Sequence, residues 1–225
     1  MTRVLLVRHG QTEGFPGGDY VHLTPRGVEQ ATALGAWLGA RGPRPARVVV
    51  GPRERQQETW AHLAAAAGWS DAHIIDEALD EIPAFEVFRH AAGLAAEGDP
   101  RWAAAMGRVV DAAGALEAFK EVILAWAADE VRPPDLVTWA AFRARVEGAL
   151  RAHADEPAML VTSAGWIGAA VAASVSVDDP VAAMELALPV YNSSLSEVAV
   201  RGGRLSLVGF NHTPHLGPTQ APTPI

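Results

Sequence analysis

The chain has 225 residues, about half of them apolar and none of them cysteine, and carries a formal net charge of -8. Zero cysteine excludes a disulfide framework, thiolate metal ligation and a cysteine nucleophile, and fits a reducing cytoplasm. The acidic balance opposes broad contact with nucleic acid or an anionic membrane, while local arginines remain able to bind a small phosphate.

The first element is a short apolar run, Arg3 to Val7, that reads as a strand buried on both faces and ends abruptly in Arg8-His9-Gly10. Thr24 as N-cap and Pro25 at the first helical position open a helix to Leu38. Ala46 to Val50 is a second buried strand, followed by a Gly51-Pro52 turn and a helix over Arg53 to Ala67. His73 to Ile75 is a shorter strand candidate. Residues 85–151 break the alternation: they are Ala-rich and helical in character, punctuated by Gly98-Asp99-Pro100 and Pro133-Pro134. Trp102, Leu124, Trp126, Trp139 and Phe142 are expected to be packing core within this helical insertion, which is placed to wall a pocket. Ala158 to Thr162 is the third parallel strand, and a helix follows over Trp166 to Val175. Ser194 to Val200 and Arg204 to Val208 flank Arg201-Gly202-Gly203 as a hairpin, and Gly217 to Ile225 reads as a tail. The expected architecture is one domain over 1–225, a three-layer α/β/α sandwich with a mostly parallel central sheet and a helical insertion at about 85–151. The N-terminus lacks the segments of a secretory signal, and no apolar run reaches the ~18 residues of a membrane span, so a cytoplasmic location is expected.

Ligands gather outside the carboxyl ends of strands in open α/β sheets, which is where Arg8 and His9 fall. A histidine nitrogen attacks phosphorus only when neutral and held in one tautomer, normally by its other nitrogen donating to a backbone carbonyl. Gly10 allows that backbone to come close. Phosphoryl oxygens also need fixed donors, and arginine forks suit them. Arg53 and Arg55 stand at a helix start, where cations oppose the dipole and call for a nearby anion. Arg55 is preferred over Arg53; the alternative is that both are solvated and partly neutralised by Glu54 and Glu58.

These residues together resemble the histidine phosphatase superfamily, also called the phosphoglycerate mutase-like family. The resemblance rests on Arg8-His9-Gly10-Gln11-Thr12, on Leu23-Thr24-Pro25-Arg26-Gly27 with Gln30-Ala31, and on Gly51-Pro52 with Arg55 and Thr59. It extends through Leu79-Asp80-Glu81 to Leu160-Val161-Thr162-Ser163. It implies that His9 is the nucleophile forming a phosphohistidine, that Arg8 and Arg55 clamp the phosphate, and that Glu81 is the acid protonating the leaving oxygen. Asp80 and Glu77 are alternatives to Glu81, because the Gly- and Trp-containing continuation that often follows in the family is absent.

The main departure is Thr162-Ser163-Ala164-Gly165, where the family usually has Ser-His-Gly. Ala164 cannot donate the hydrogen bond of the second histidine, so phosphate binding there falls to the backbone N-H groups of the strand-to-helix turn and the Ser163 hydroxyl. His215 or His212, in Phe210-Asn211-His212-Thr213-Pro214-His215, is a candidate replacement. Their His-x-x-His spacing is only a weak metal signal, and no metal or other cofactor is expected. Gln11, Thr12 and Asn192, the last within Tyr191-Asn192-Ser193-Ser194, are candidates for additional pocket lining.

The function these residues imply is hydrolysis of a small phosphomonoester, with a small phosphorylated molecule or inorganic phosphate as ligand. The competing reading is a catalytically weak relative that binds a phosphorylated ligand or partner. A phosphoglycerate mutase fits less well: the Asn- and Trp-containing continuation after Arg-His-Gly is missing, and no additional basic cluster for a substrate carboxylate is visible. A homodimer is compatible with the sequence.

Overall fold

The computed structural model describes residues 1–13 and 20–217; the expected tail from Gly217 to Ile225 lies outside them except for Gly217. Strands β1 (Thr2–Arg8), β2 (Arg47–Val50), β3 (Ile74–Ile75), β4 (Ala158–Thr162), β5 (Leu195–Arg201) and β6 (Arg204–His212) form one sheet in the order β3-β2-β4-β1-β5-β6. The first four are parallel to one another, β5 runs antiparallel to β1, and β6 runs antiparallel to β5. The hairpin turns at Gly202-Gly203, both at positive φ. Strand β6 continues to His212 rather than stopping at Val208, because pairing with β5 through an irregular register carries it past the end of its hydropathy pattern.

Side chains alternate between two cores, as the pleat requires. Val7, Val48, Val50, Met159 and Val161 face helices α1 (Pro25–Gly39) and α2 (Glu54–Ala67) and pack with Leu34, Trp60 and Leu63. Val4, Leu6, Val49, Ala158 and Leu160 face the opposite layer. That layer contains α3 (Ala84–Ala96), α4 (Pro100–Met106), α5 (Ala112–Ala127), α6 (Trp139–Ala152), α7 (Ala164–Ser174) and α8 (Pro180–Glu185). The result is a three-layer α/β/α sandwich with a mostly parallel sheet. Thr24 caps α1 by accepting the Gly27 N-H, as its position before Pro25 predicts. Within the helical segment, Trp102, Trp126, Trp139 and Phe142 are buried, Leu124 is partly so, and Trp126 meets Trp139 edge-on at 6.0 Å. Strand β3 differs from the buried reading: Ile74 and Ile75 are about half exposed, since β3 is a two-residue edge strand. Helix α8 has no strong periodic signal in so short a stretch; it starts at Pro180 under an Asp179 cap. Among the described residues, no helix is long and apolar enough to cross a membrane.

Candidate active site

Three parallel strands end at one edge of the sheet, and their following loops meet there. The Arg8↔Thr162 register brings the ends of β1 and β4 side by side, and the His9 N-H donates to the Thr162 carbonyl at 3.0 Å. The His9 carbonyl accepts from the Ser193 N-H at 3.1 Å and from Asn192 Nδ2 at 3.3 Å. Ser193 reaches that position at φ 58°, a left-handed conformation uncommon outside glycine, so local backbone strain accompanies the fixing of His9. The polar turn Tyr191 to Ser194 thus holds the backbone of His9 in place.

The His9 side chain is fully buried, and its Nδ1 lies 2.7 Å from the Gly10 carbonyl. A carbonyl only accepts, so Nδ1 carries the proton and Nε2 presents its lone pair. Arg55 Nε donates to that Nε2 at 3.2 Å. Burial, then Arg55, then Arg8 push the imidazole well below its ordinary pKa, opposed by the bond to Gly10, and the neutral form results. Gly10 itself donates to Thr59 Oγ1 at 2.9 Å, and a Cβ there would stand 2.5 Å from the Gly27 carbonyl oxygen. Only glycine lets the start of α1 approach this loop.

Arg8 and Arg55 are both buried and border one pocket of about 440 Å³. Arg8 donates to the Val190 carbonyl through Nη1, while its Nε is buried without a partner among the described residues. Burial lowers the Arg8 pKa most; Tyr20 and Glu81 raise it, and Arg55 opposes them. Arg55 lies 4.3 Å under the Tyr20 ring and donates to the Tyr20 carbonyl at 3.2 Å. Tyr20 also presents its edge to His9, with ring centroids 6.1 Å apart. Sequence reasoning missed Tyr20, since a lone tyrosine in a loop carries no periodic or motif signal.

Glu54 and Glu58 do not neutralise the arginines. They hold His22, at 3.3 and 2.7 Å, while Arg53, the N-cap residue of α2, forks onto Asp80 with Nη2 to Oδ2 at 2.9 Å. Asp80 is therefore committed to a cation, and Glu77 is exposed. Glu81 borders the pocket, receiving the Ile82 N-H at 2.9 Å and the Gly165 N-H at 3.2 Å. A Cβ on Gly165 would stand 2.4 Å from Glu81 Oε1, so the small residue makes room for the carboxyl. Burial raises the Glu81 pKa, against the pull of Ile82, Arg55, Gly165 and Arg8. A carboxyl whose proton is held more tightly than usual by burial, beside a neutral imidazole and two guanidinium groups, is placed to deliver a proton to an ester oxygen.

Gln11, Thr12 and Asn192 border the same pocket, and Ala164 lies on its wall beside Gly165. Ser163 is fully buried one residue away from that wall, its hydroxyl accepting from Gln56 Nε2 at 2.8 Å. Neither histidine of the C-terminal segment borders the pocket. His212 borders a separate groove with Trp37, Pro43 and Pro45, and His215 bonds Ser193 Oγ at 2.8 Å. His212 is the last residue of β6 and His215 lies three residues beyond it, and neither is among the residues that line the pocket beside Ala164. Two further cations that the sequence did not bring together do reach the pocket: Arg53, and Lys120 on α5, the latter 3.1 Å from Glu117.

Residues 4–114 match the model of the histidine phosphatase superfamily (branch 1). No curated protein sequence matches the chain. The fold is similar to that of a phosphoserine phosphatase from Entamoeba histolytica solved with phosphoserine, at 19% identity and TM-score 0.65, covering 96% of this chain and 100% of that one. It is also similar to a mycobacterial glucosyl-3-phosphoglycerate phosphatase solved with inorganic phosphate, at 24% identity and TM-score 0.63, covering 96% and 100%.

Proposed function

The chain belongs to the histidine phosphatase superfamily, and on that premise we propose that it hydrolyses a phosphomonoester through a phosphohistidine on His9. The observation that carries this reading is the His9 arrangement, with Nδ1 tied to Gly10 and Nε2 left without a proton, its lone pair accepting from Arg55 until a phosphoryl oxygen takes that bond. In the first step Nε2 attacks phosphorus and the P-O ester bond breaks. Glu81 gives its proton to the departing alkoxide, while Arg8 and Arg55 bind the equatorial oxygens. In the second step the Glu81 carboxylate takes a proton from water as the oxygen attacks phosphorus. The P-N bond breaks, inorganic phosphate leaves and His9 is neutral again. A small phosphorylated molecule is the expected ligand.

A second reading is favoured by one observation, the Ala164 methyl on the pocket wall. Without a donor at that position, the same arginines would bind a phosphorylated ligand with weak turnover or none. Turnover of p-nitrophenyl phosphate and binding of vanadate, measured on wild type and His9→Ala, separate the two. Turnover that disappears in His9→Ala supports hydrolysis through His9; vanadate binding with no turnover in wild type supports the binding reading.

A further inference from the structure

Outward from Glu81 the pocket changes character. Ile82 and Phe85, Leu116, Phe119 and Ile123 of α5, and Leu188 make up an apolar part of its lining. Aromatic rings lead from the phosphoryl end to this wall: Tyr20, which covers Arg55, meets Phe85 at 5.1 Å, and Phe85 meets Phe119 at 5.8 Å. The two further cations of the lining each have a carboxylate partner. Arg53 is forked onto Asp80, and Lys120 is paired with Glu117. Glu86 adds a carboxylate to the lining, paired with Arg89 at 3.4 Å. A second anionic group on a substrate would have to compete with Asp80 and Glu117 for these cations, and a polyhydroxylated group would lose water against the aliphatic and aromatic part of the lining.

We infer that the alcohol released by this pocket is apolar, so that phosphate monoesters of hydrophobic alkyl or aryl alcohols are preferred over phosphorylated acids and sugars. The inference rests on the phosphomonoesterase reading. Burial of each methylene against this wall raises kcat/KM about fourfold, the equivalent of the transfer free energy of one CH₂.

The test compares ethyl, butyl and hexyl phosphate, whose leaving oxygens are alike, with 3-phosphoglycerate and phosphoserine, alongside vanadate binding. A steep rise from ethyl to hexyl phosphate, on the order of 10²-fold in kcat/KM for four buried methylenes, is expected. Hexyl phosphate should exceed both phosphorylated acids. Leu116 and Leu188 are partly buried and lie outside the two hydrophobic cores, so Leu116→Lys and Leu188→Lys are suitable wall variants. Each should flatten the alkyl series. A flat series, a preference for 3-phosphoglycerate, or a slope unchanged in both variants would overturn the inference while leaving the phosphatase reading standing. Absence of turnover with every ester, together with absence of vanadate binding, would overturn that reading and the inference with it.

Discussion

Arg55 Nε-H reaches His9 Nε2 across 3.2 Å, while the Gly10 carbonyl holds Nδ1 at 2.7 Å from the other side of the ring. The imidazole is therefore neutral, fixed in tautomer and directed at a guanidinium that must transfer its bond to a phosphoryl oxygen when substrate enters. Arg8 contributes the second cation, with a buried Nε still to be satisfied. Replacing either arginine by alanine is expected to cost at least about 1.5 kcal/mol of vanadate affinity, roughly tenfold, without unfolding the protein. Titration of vanadate with both variants checks this; unchanged affinity in both would remove the anion from this pocket.

Glu81 should matter most where the leaving group is poor. Glu81→Gln is expected to slow alkyl phosphates by 10²-fold or more and p-nitrophenyl phosphate far less, because an activated aryl oxide needs little protonation. The raised pKa of Glu81 sets the pH profile as well. Its acid form is lost as pH rises through that value, so the rate with alkyl phosphates falls on the alkaline side. The lowered pKa of His9 moves the acid limb well below 6.5. Glu81→Gln should abolish the alkaline fall. Equal losses across the ester series would mean that Glu81 binds substrate uniformly rather than donating a proton.

The wall position at Ala164 offers a gain-of-function test. Since His212 and His215 lie elsewhere, no described imidazole fills the space beside Gly165, and Ala164→His would supply a donor there. Turnover should rise by up to about 10²-fold, the contribution of one preorganised donor. A fall in turnover with unchanged melting would mean that the space is already needed by substrate.

His215 links stability to pH. Burial lowers its pKa to about 4, so the folded protein holds it neutral against Ser193. A histidine depressed in this way contributes stability that is present above its unfolded pKa of about 6.5 and is lost as pH falls through about 4. Denaturant midpoints measured at pH 7 and pH 4 should drop less in His215→Gln than in wild type. Equal drops would place the acid sensitivity in other groups, His9 among them.

Much of this arrangement is legible in the sequence because its signals are local. The apolar runs at Val4 to Val7 and Ala158 to Thr162, the Thr24-Pro25 cap and the Gly202-Gly203 turn each depend on a few adjacent residues. Arg8, His9, Arg55 and Glu81 meet because each follows a strand or a short turn at one sheet edge, which chain order alone suggests. What escaped depends on distance. The Arg53-Asp80 fork, the Glu54 and Glu58 contacts to His22 and the arrival of Lys120 from α5 are set by tertiary packing, with no period or spacing to announce them. Tyr20 was equally silent. That His212 and His215 do not line the pocket is not legible either, because the register of β6, not its hydropathy, decides where the chain goes next.

Hydrolysis by this route requires that Nε2 of His9 become covalently bonded to phosphorus. Acid-labile label from a ³²P-labelled phosphomonoester, trapped by rapid denaturation and mapped by peptide sequencing under alkaline conditions, tests it directly. Phosphate is expected on Nε2 of His9, formed and lost at rates consistent with turnover and absent in His9→Ala. Turnover that proceeds with no label on His9, or with label on Nδ1, which the Gly10 carbonyl occupies, would contradict it.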